Sequence, residues 1–99
     1  MQSLIPLLVT ILSDHRQWFE TKGNSGVFAD LSEENLEEGV FEGAVLVEAN
    51  FQGSNLHKSN FRNSDLRGAN FHDARLTQAQ FQNSNLEETD LMWADLKGA

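Results

Sequence analysis

The hydrophobic pattern of the chain repeats every five residues over most of its length. Each repeat has one large apolar residue, usually with a small residue two places earlier and Asn or Asp between them. The apolar series is Leu31, Leu36, Phe41, Leu46, Phe51, Leu56, Phe61, Leu66, Phe71, Leu76, Phe81, Leu86, Leu91 and Leu96. Because apolar positions return about every 3.6 residues in a helix and every second residue in a strand, this period fits neither element.

Short repeats of fixed length predict a solenoid, in which each repeat buries its apolar residue by stacking on its neighbours. The motif A-[D/N]-[L/F]-x-x, which covers residues 29–99, resembles the pentapeptide-repeat family. The resemblance implies an all-β solenoid, a right-handed quadrilateral β-helix whose turns each contain four pentapeptides. The Leu or Phe and the preceding small residue would both point inward. At about twenty residues per turn, the repeats would form about three and a half coils.

Stacking at that interval places the aromatic residues on two opposite faces of the solenoid and leucines on the other two. The four columns are Leu31-Phe51-Phe71-Leu91, Leu36-Leu56-Leu76-Leu96, Phe41-Phe61-Phe81 and Leu46-Leu66-Leu86. This alternation suits a narrow core, which four Phe rings in one layer would overfill. Two places after the large residue, corner turns favour residues that tolerate positive φ. Such residues are Gly43, Gly53, Asn63, Gly68, Asn83 and Gly98.

The N-terminal segment does not follow the five-residue period. Its apolar residues recur at helical spacing from Ser3, a candidate N-cap, to about Lys22, and Gly23 is a stop signal. We therefore predict a capping helix and turn at residues 1–26 and the β-helix at residues 27–99. The His-x-x-Trp pattern at 15–18 resembles a segment that precedes bacterial pentapeptide repeats. The side chains expected to cover the first coil are Leu8, Ile11, Leu12, His15, Trp18 and Phe19.

The first repeats depart from the motif. Glu34 and Gly39 occupy the place of the small inward residue, and Val40 and Val45 occupy the place of Asn or Asp. A buried carboxylate without a partner is unfavourable. Glu34 is therefore expected to turn outward or to accept a hydrogen bond from a donor on the helix. The candidate donor is His15.

Composition limits the classes of function. The absence of Cys excludes disulfides and thiolate sites, and the net charge of −8 argues against direct binding to nucleic acid, which relies on Lys and Arg. The apolar run from Leu4 to Leu12 is short for a membrane span and has no basic residue before it. We expect a cytoplasmic protein that does not enter a membrane.

No set of residues points to catalysis, to a metal or to a cofactor. His57 and His72 lie fifteen residues apart in sequence, which places them on adjacent faces rather than in one site. Ser54 and the other serines at the small positions point inward, so none is a plausible nucleophile. His15 is expected to pack or form hydrogen bonds in the cap rather than to act as a base. The sequence therefore predicts a protein that is not an enzyme.

Two functions remain open. The first is a structural module that binds a protein of unknown identity through the solenoid faces or the capping helix. Its candidate contact residues are the outward apolar residues Val40, Val45, Val47, Met92 and Trp93. We also expect a homodimer through the C-terminal coil, because only three residues follow the last repeat and its edge would be uncovered.

The alternative function is DNA mimicry. Some pentapeptide-repeat proteins resemble a DNA rod in size and acidity and bind DNA gyrase. Against this interpretation, the expected coils would form a column only about 17 Å long at roughly 4.8 Å per turn. One turn of duplex DNA is about 34 Å long. The basic residues Lys58, Arg62, Arg67 and Arg75 would also interrupt an acidic surface.

Overall fold

The computed structural model describes residues 4–99. A short 3₁₀ turn, Ile5–Leu7, leads into one α-helix, α1, Leu8–Glu20. The proposed N-cap Ser3 lies outside the described residues, and Leu7 at the start of α1 makes no side-chain capping bond. The helix ends as predicted ahead of Gly23, which has a φ of 84°. The rest of the chain consists of turns joined by isolated β-bridges rather than by longer strands.

Parallel bridges connect each coil to the next. Within residues 4–99, ten bridges pair residues twenty apart in sequence, from Asp30–Asn50 to Arg75–Asp95. Each pairing uses backbone bonds in both directions: the Leu31 N–H donates to the Asn50 carbonyl at 2.7 Å, and the Asn50 N–H donates to the Ala29 carbonyl at 3.0 Å. The separation of twenty residues stacks every fourth pentapeptide, which is the register expected from the sequence.

A tight turn separates consecutive pentapeptides. In the turn after Phe41, the Ala44 N–H donates to the Phe41 carbonyl at 3.0 Å, and Gly43 at the third position has a φ of 71°. Positive φ at that position is the property of a type II turn. The prediction for the glycines and asparagines is confirmed, and within residues 31–99 eight further residues at this position of the repeat adopt the same conformation. These are Glu33, Glu38, Glu48, Lys58, Asp73, Gln78, Glu88 and Trp93.

The Asn or Asp of the motif caps these turns. The Asn50 side-chain oxygen accepts the backbone N–H of Gln52 at 3.0 Å, and its amide donates to Asp30 one coil away at 3.2 Å. Ten residues at this position accept a bond from the N–H two places on. The short polar side chain therefore satisfies a backbone donor that the corner leaves without a ladder partner.

The apolar series forms a continuous core along the solenoid axis. Every member from Leu31 to Leu76 is at most 2% exposed. The rings of Phe41 and Phe61 stack with centroids 4.6 Å apart, and Phe51 meets both rings edge to face at 5.5 and 5.6 Å. The last four members are less buried: Phe81 and Leu91 are partly covered, and Leu86 and Leu96 are exposed. The predicted core therefore opens towards the C-terminal coil, because no further coil covers it within residues 4–99.

Candidate interaction surfaces

His15 joins the helix to the first coil. Its side chain is fully buried, its Nε2 lies 2.8 Å from the Val47 carbonyl oxygen, and its Nδ1 lies 2.9 Å from the Ala29 nitrogen. Because the Ala29 N–H can only donate, Nδ1 must be the acceptor, and the neutral ring carries its hydrogen on Nε2. Both bonds go to backbone atoms, so His15 is not the partner of Glu34. Glu34 itself is only partly buried.

Burial lowers the pKa of the His15 imidazole, and the bond to Val47 and the charge of Glu48 oppose this effect. Stripping water from an ionisable group disfavours its charged form. The aromatic neighbours of the ring add to this environment: Trp18 stacks on it with centroids 5.2 Å apart, and Phe28 meets it edge to face at 5.5 Å. The His-x-x-Trp pattern thus builds an aromatic cluster between helix and solenoid around a fully buried imidazole.

The other predicted cap residues are buried or partly buried. Leu8 is buried, and Ile11 and Leu12 are partly buried against the core. Phe19 is partly buried, and the Arg67 guanidinium lies over its ring at 5.9 Å. Arg67 is held in place by a paired contact with Asp65, whose two oxygens accept bonds of 2.8 and 2.7 Å. Arg67, one of the basic residues expected to interrupt the acidic surface, is therefore paired with a carboxylate.

One of the candidate contact residues is wrongly predicted. Val47 is only 8% exposed and its carbonyl is held by His15, because the helix lies across this corner of the first coil. Val45 is partly buried beside Leu12 and Arg16 of α1, whereas Val40 is 64% exposed. The covering helix thus removes Val47 from any open surface and leaves Val40 available.

The C-terminal coil presents a second surface. Met92 and Trp93 are 61% and 77% exposed, and the apolar residues Leu86 and Leu96 lie open on the same coil. In earlier coils the N–H of the large residue donates to the next coil, as Leu76 does to the Asp95 carbonyl at 2.8 Å. Within residues 4–99, no further coil accepts the N–H groups of the last repeats. We name Leu86, Met92, Trp93 and Leu96 the C-terminal surface.

The structure also locates the histidines and serines that were weighed as metal ligands or nucleophiles. Across residues 4–99, no three His, Cys, Asp or Glu side chains converge as a metal site would require. His57 Nδ1 contacts the Thr77 hydroxyl, and the Ser54 hydroxyl donates to the Phe51 carbonyl at 2.7 Å. None of the helices in this part of the chain has the length and apolar character needed to cross a membrane.

The family model for the pentapeptide repeat region matches residues 28–98, which is most of the chain. The chain belongs to the pentapeptide-repeat family. The sequence predicted a right-handed β-helical solenoid preceded by a helix, and this fold is confirmed. No curated protein matches the chain.

Two solved structures are similar to this chain. A pentapeptide repeat protein from the thylakoid lumen of Arabidopsis thaliana is 35% identical with a TM-score of 0.71, and the match covers 72% of this chain and 49% of that one. A pentapeptide repeat protein from the cyanobacterium Cyanothece 51142 is 41% identical with a TM-score of 0.44, over 65% of this chain and 40% of that one. The match thus spans half or less of either structure.

Proposed function

We propose that this chain is a non-enzymatic protein-interaction module and that its C-terminal surface makes the contact. The observation that carries the proposal is the exposed pair Met92 and Trp93. At the corresponding places of most other repeats stand polar, charged or Gly residues, which suit a solvated face. A large exposed aromatic residue is a frequent anchor of protein interfaces because it buries much area at little cost in side-chain entropy.

The backbone at Trp93 strengthens this argument. Its φ is 62°, in the left-handed region that bulky residues rarely adopt. The other thirteen corner positions from 33 to 98 hold Gly, Asn, Asp, Gln, Glu or Lys. Neither local conformation nor burial favours an aromatic residue there, since the side chain is mostly in water. A contact formed in an assembly supplies the missing reason.

The partner that fits this surface best is a second copy of the chain. A two-fold contact would bring together the exposed apolar side chains of two identical C-terminal surfaces. Head-to-tail stacking is obstructed, because α1 lies over the first coil. Within this proposal, the exposed Val40 and the outer side of α1 remain free for another protein.

Light scattering after size exclusion tests the proposal at micromolar concentrations. We expect a dimer for the wild type and a monomer for Trp93→Glu, because the substitution places a charge inside the contact. The matched control is Val9→Glu, which puts the same charge on an apolar side chain of α1 that is 83% exposed. A wild-type monomer, or a dimer that persists in Trp93→Glu, would contradict the proposed contact.

The acidity of the chain, with its net charge of −8, favours one second candidate. A chain of this charge could occupy a site on DNA gyrase that normally binds phosphates. A supercoiling assay with purified gyrase distinguishes the two functions. Inhibition of gyrase, or its protection from a quinolone, by micromolar protein supports mimicry, whereas no effect leaves the interaction module as the sole proposal.

A further inference from the structure

We propose that His15 is an acid-sensitive latch, which holds α1 on the first coil while the imidazole is neutral and releases it when the imidazole is protonated. The observation behind the proposal is that one buried ring makes both a donor and an acceptor bond to the solenoid part of the chain. This inference is independent of the proposed C-terminal contact, since the two features lie at opposite ends of the solenoid.

The first bond of the latch replaces a missing coil. In the later coils of this face, the corresponding carbonyls accept an N–H from the coil below: Arg67 accepts from Glu48 at 2.8 Å, and Glu87 accepts from Gly68 at 2.9 Å. The Val47 carbonyl has no coil below it among residues 4–99. The His15 Nε2–H donates to it instead, at 2.8 Å. The imidazole thus satisfies a backbone acceptor that would otherwise be buried without a partner.

The second bond makes the latch sensitive to protons. Nδ1 accepts the Ala29 N–H at 2.9 Å, so a proton on Nδ1 would face another donor rather than an acceptor. The bond would be lost and the two hydrogens would repel each other. The resulting cation would also be enclosed between Trp18 and Phe28 without access to water. Protonation in the closed cap is therefore unfavourable by geometry as well as by desolvation.

Charged groups occur on each element packed around the ring. Asp14 and Arg16 flank His15 on α1, Asp30 follows Ala29, and Glu48 follows Val47. Glu48 favours the protonated ring, but burial is the larger effect and the net shift lowers the pKa of His15. In the closed state the pKa lies below the ordinary value of 6.5. In a state with the cap open, the exposed imidazole would titrate at about 6.5.

The closed state therefore binds a proton less readily than the open state, and this difference sets the sign of the pH dependence. Above the open-state pKa neither state binds a proton, and the latch contributes its full stability. Below the open-state pKa, the open state binds a proton that the closed state does not bind, so opening becomes more favourable as pH falls. The equilibrium constant for opening should rise by up to about tenfold per pH unit in this window. The window ends at the lower pKa of the closed state.

The opening can be followed through Trp18. The chain has two Trp residues, so Trp93→Phe leaves Trp18 as the only one. In this background we expect quenching of Trp18 fluorescence by acrylamide to increase between pH 7.5 and pH 5, with the circular dichroism of the solenoid unchanged. His15→Gln, which has a donor and an acceptor but does not titrate, should abolish the pH response. The matched control, His57→Gln with His72→Gln, should retain it.

Titration of the imidazole resonances by NMR provides a measurement on the unmodified chain. We expect His15 to titrate below 6.5, with the α1 amides losing protection in the same pH range. The proposal is overturned if Trp18 accessibility does not change with pH, if the response survives in His15→Gln, or if His15 titrates at 6.5 or above. Should His15→Gln fail to fold, the NMR titration alone decides.

Discussion

The first and last coils of the solenoid contain the same repeat but differ in how far their apolar side chains are buried. Leu31 and Leu96 occupy the same position of the motif, yet Leu31 is 2% exposed and Leu96 is 40% exposed. At the first end, α1 covers the core and His15 takes over the role of a neighbouring coil. At the other end, within residues 4–99, the apolar side chains and the ladder donors face outward. The contribution of a repeat to stability therefore depends on what lies above and below it, as expected for a one-dimensional stack.

The largest effect should come from truncating the covered core. Phe61 is fully buried and stacks between Phe41 and Phe81 at 4.6 and 5.3 Å. Phe61→Ala should lower the free energy of unfolding by about 3 to 5 kcal/mol, because a rigid ladder cannot collapse around the cavity. Leu96→Ala should cost under about 1 kcal/mol, since the side chain is already partly in water.

Chemical denaturation of the monomer measures both changes, with Arg62→Ala as an outward control. That control should cost under about 0.5 kcal/mol. Equal losses for Phe61→Ala and Leu96→Ala would mean that the end of the stack is as well covered as its middle. The comparison between the two ends would then be wrong.

The regular part of this fold could be predicted from the sequence because stacking imposes one register. Once the large residue returns every five places, each Leu or Phe meets its equivalent twenty residues on, and the columns follow directly. The corners were partly predictable: Gly and Asn indicated positive φ, but Glu48 and Trp93 adopt it as well. Closure of the coil thus overrides the preference of single residues.

The irregular part depends on contacts between distant segments, which a periodic pattern does not report. The pattern placed Val47 outward without revealing that α1 would lie over it. It pointed to His15 but suggested Glu34 as its partner, because every residue has backbone groups and the sequence does not single out those of Ala29 and Val47. The orphan carbonyl at the start of a ladder was the available signal, since any first coil must find donors from outside the repeat.

A substitution at the covered end tests how closely the cap is fitted. Gly26 has a φ of 82°, and an added Cβ would lie 2.4 Å from both the backbone oxygen of Asp14 and the backbone nitrogen of Trp18. Gly26→Ala should therefore lower the free energy of unfolding by about 2 kcal/mol or more, through backbone strain and a clash with α1.

Thermal denaturation with hydrogen exchange of α1 measures this effect. The matched control is Gly43→Ala, at a φ of 71° but with nothing within 4 Å of the added Cβ. The control carries the strain without the clash, so its loss should be smaller and α1 should keep its protection. Equal losses would show that the fit between Gly26 and the helix is unimportant.

The smallest effect, and the one with the opposite sign, is expected at the open end. Trp93 is strained at a φ of 62° and mostly exposed, so the monomer gains little from its side chain. Asn tolerates the left-handed conformation better, and Trp93→Asn should raise the free energy of unfolding of the monomer by about 0.5 kcal/mol. Glu88→Asn, at a φ of 58° on the same coil, is the matched control and should change the free energy of unfolding less.

Denaturation below the concentration at which the proposed dimer would form gives the stability of the monomer, and light scattering at higher concentration gives the oligomeric state. We expect Trp93→Asn to stabilise the monomer and weaken the proposed dimer, because in that proposal the strained residue serves the contact rather than the fold. A loss of monomer stability would instead mean that Trp93 packs over the last coil and covers it.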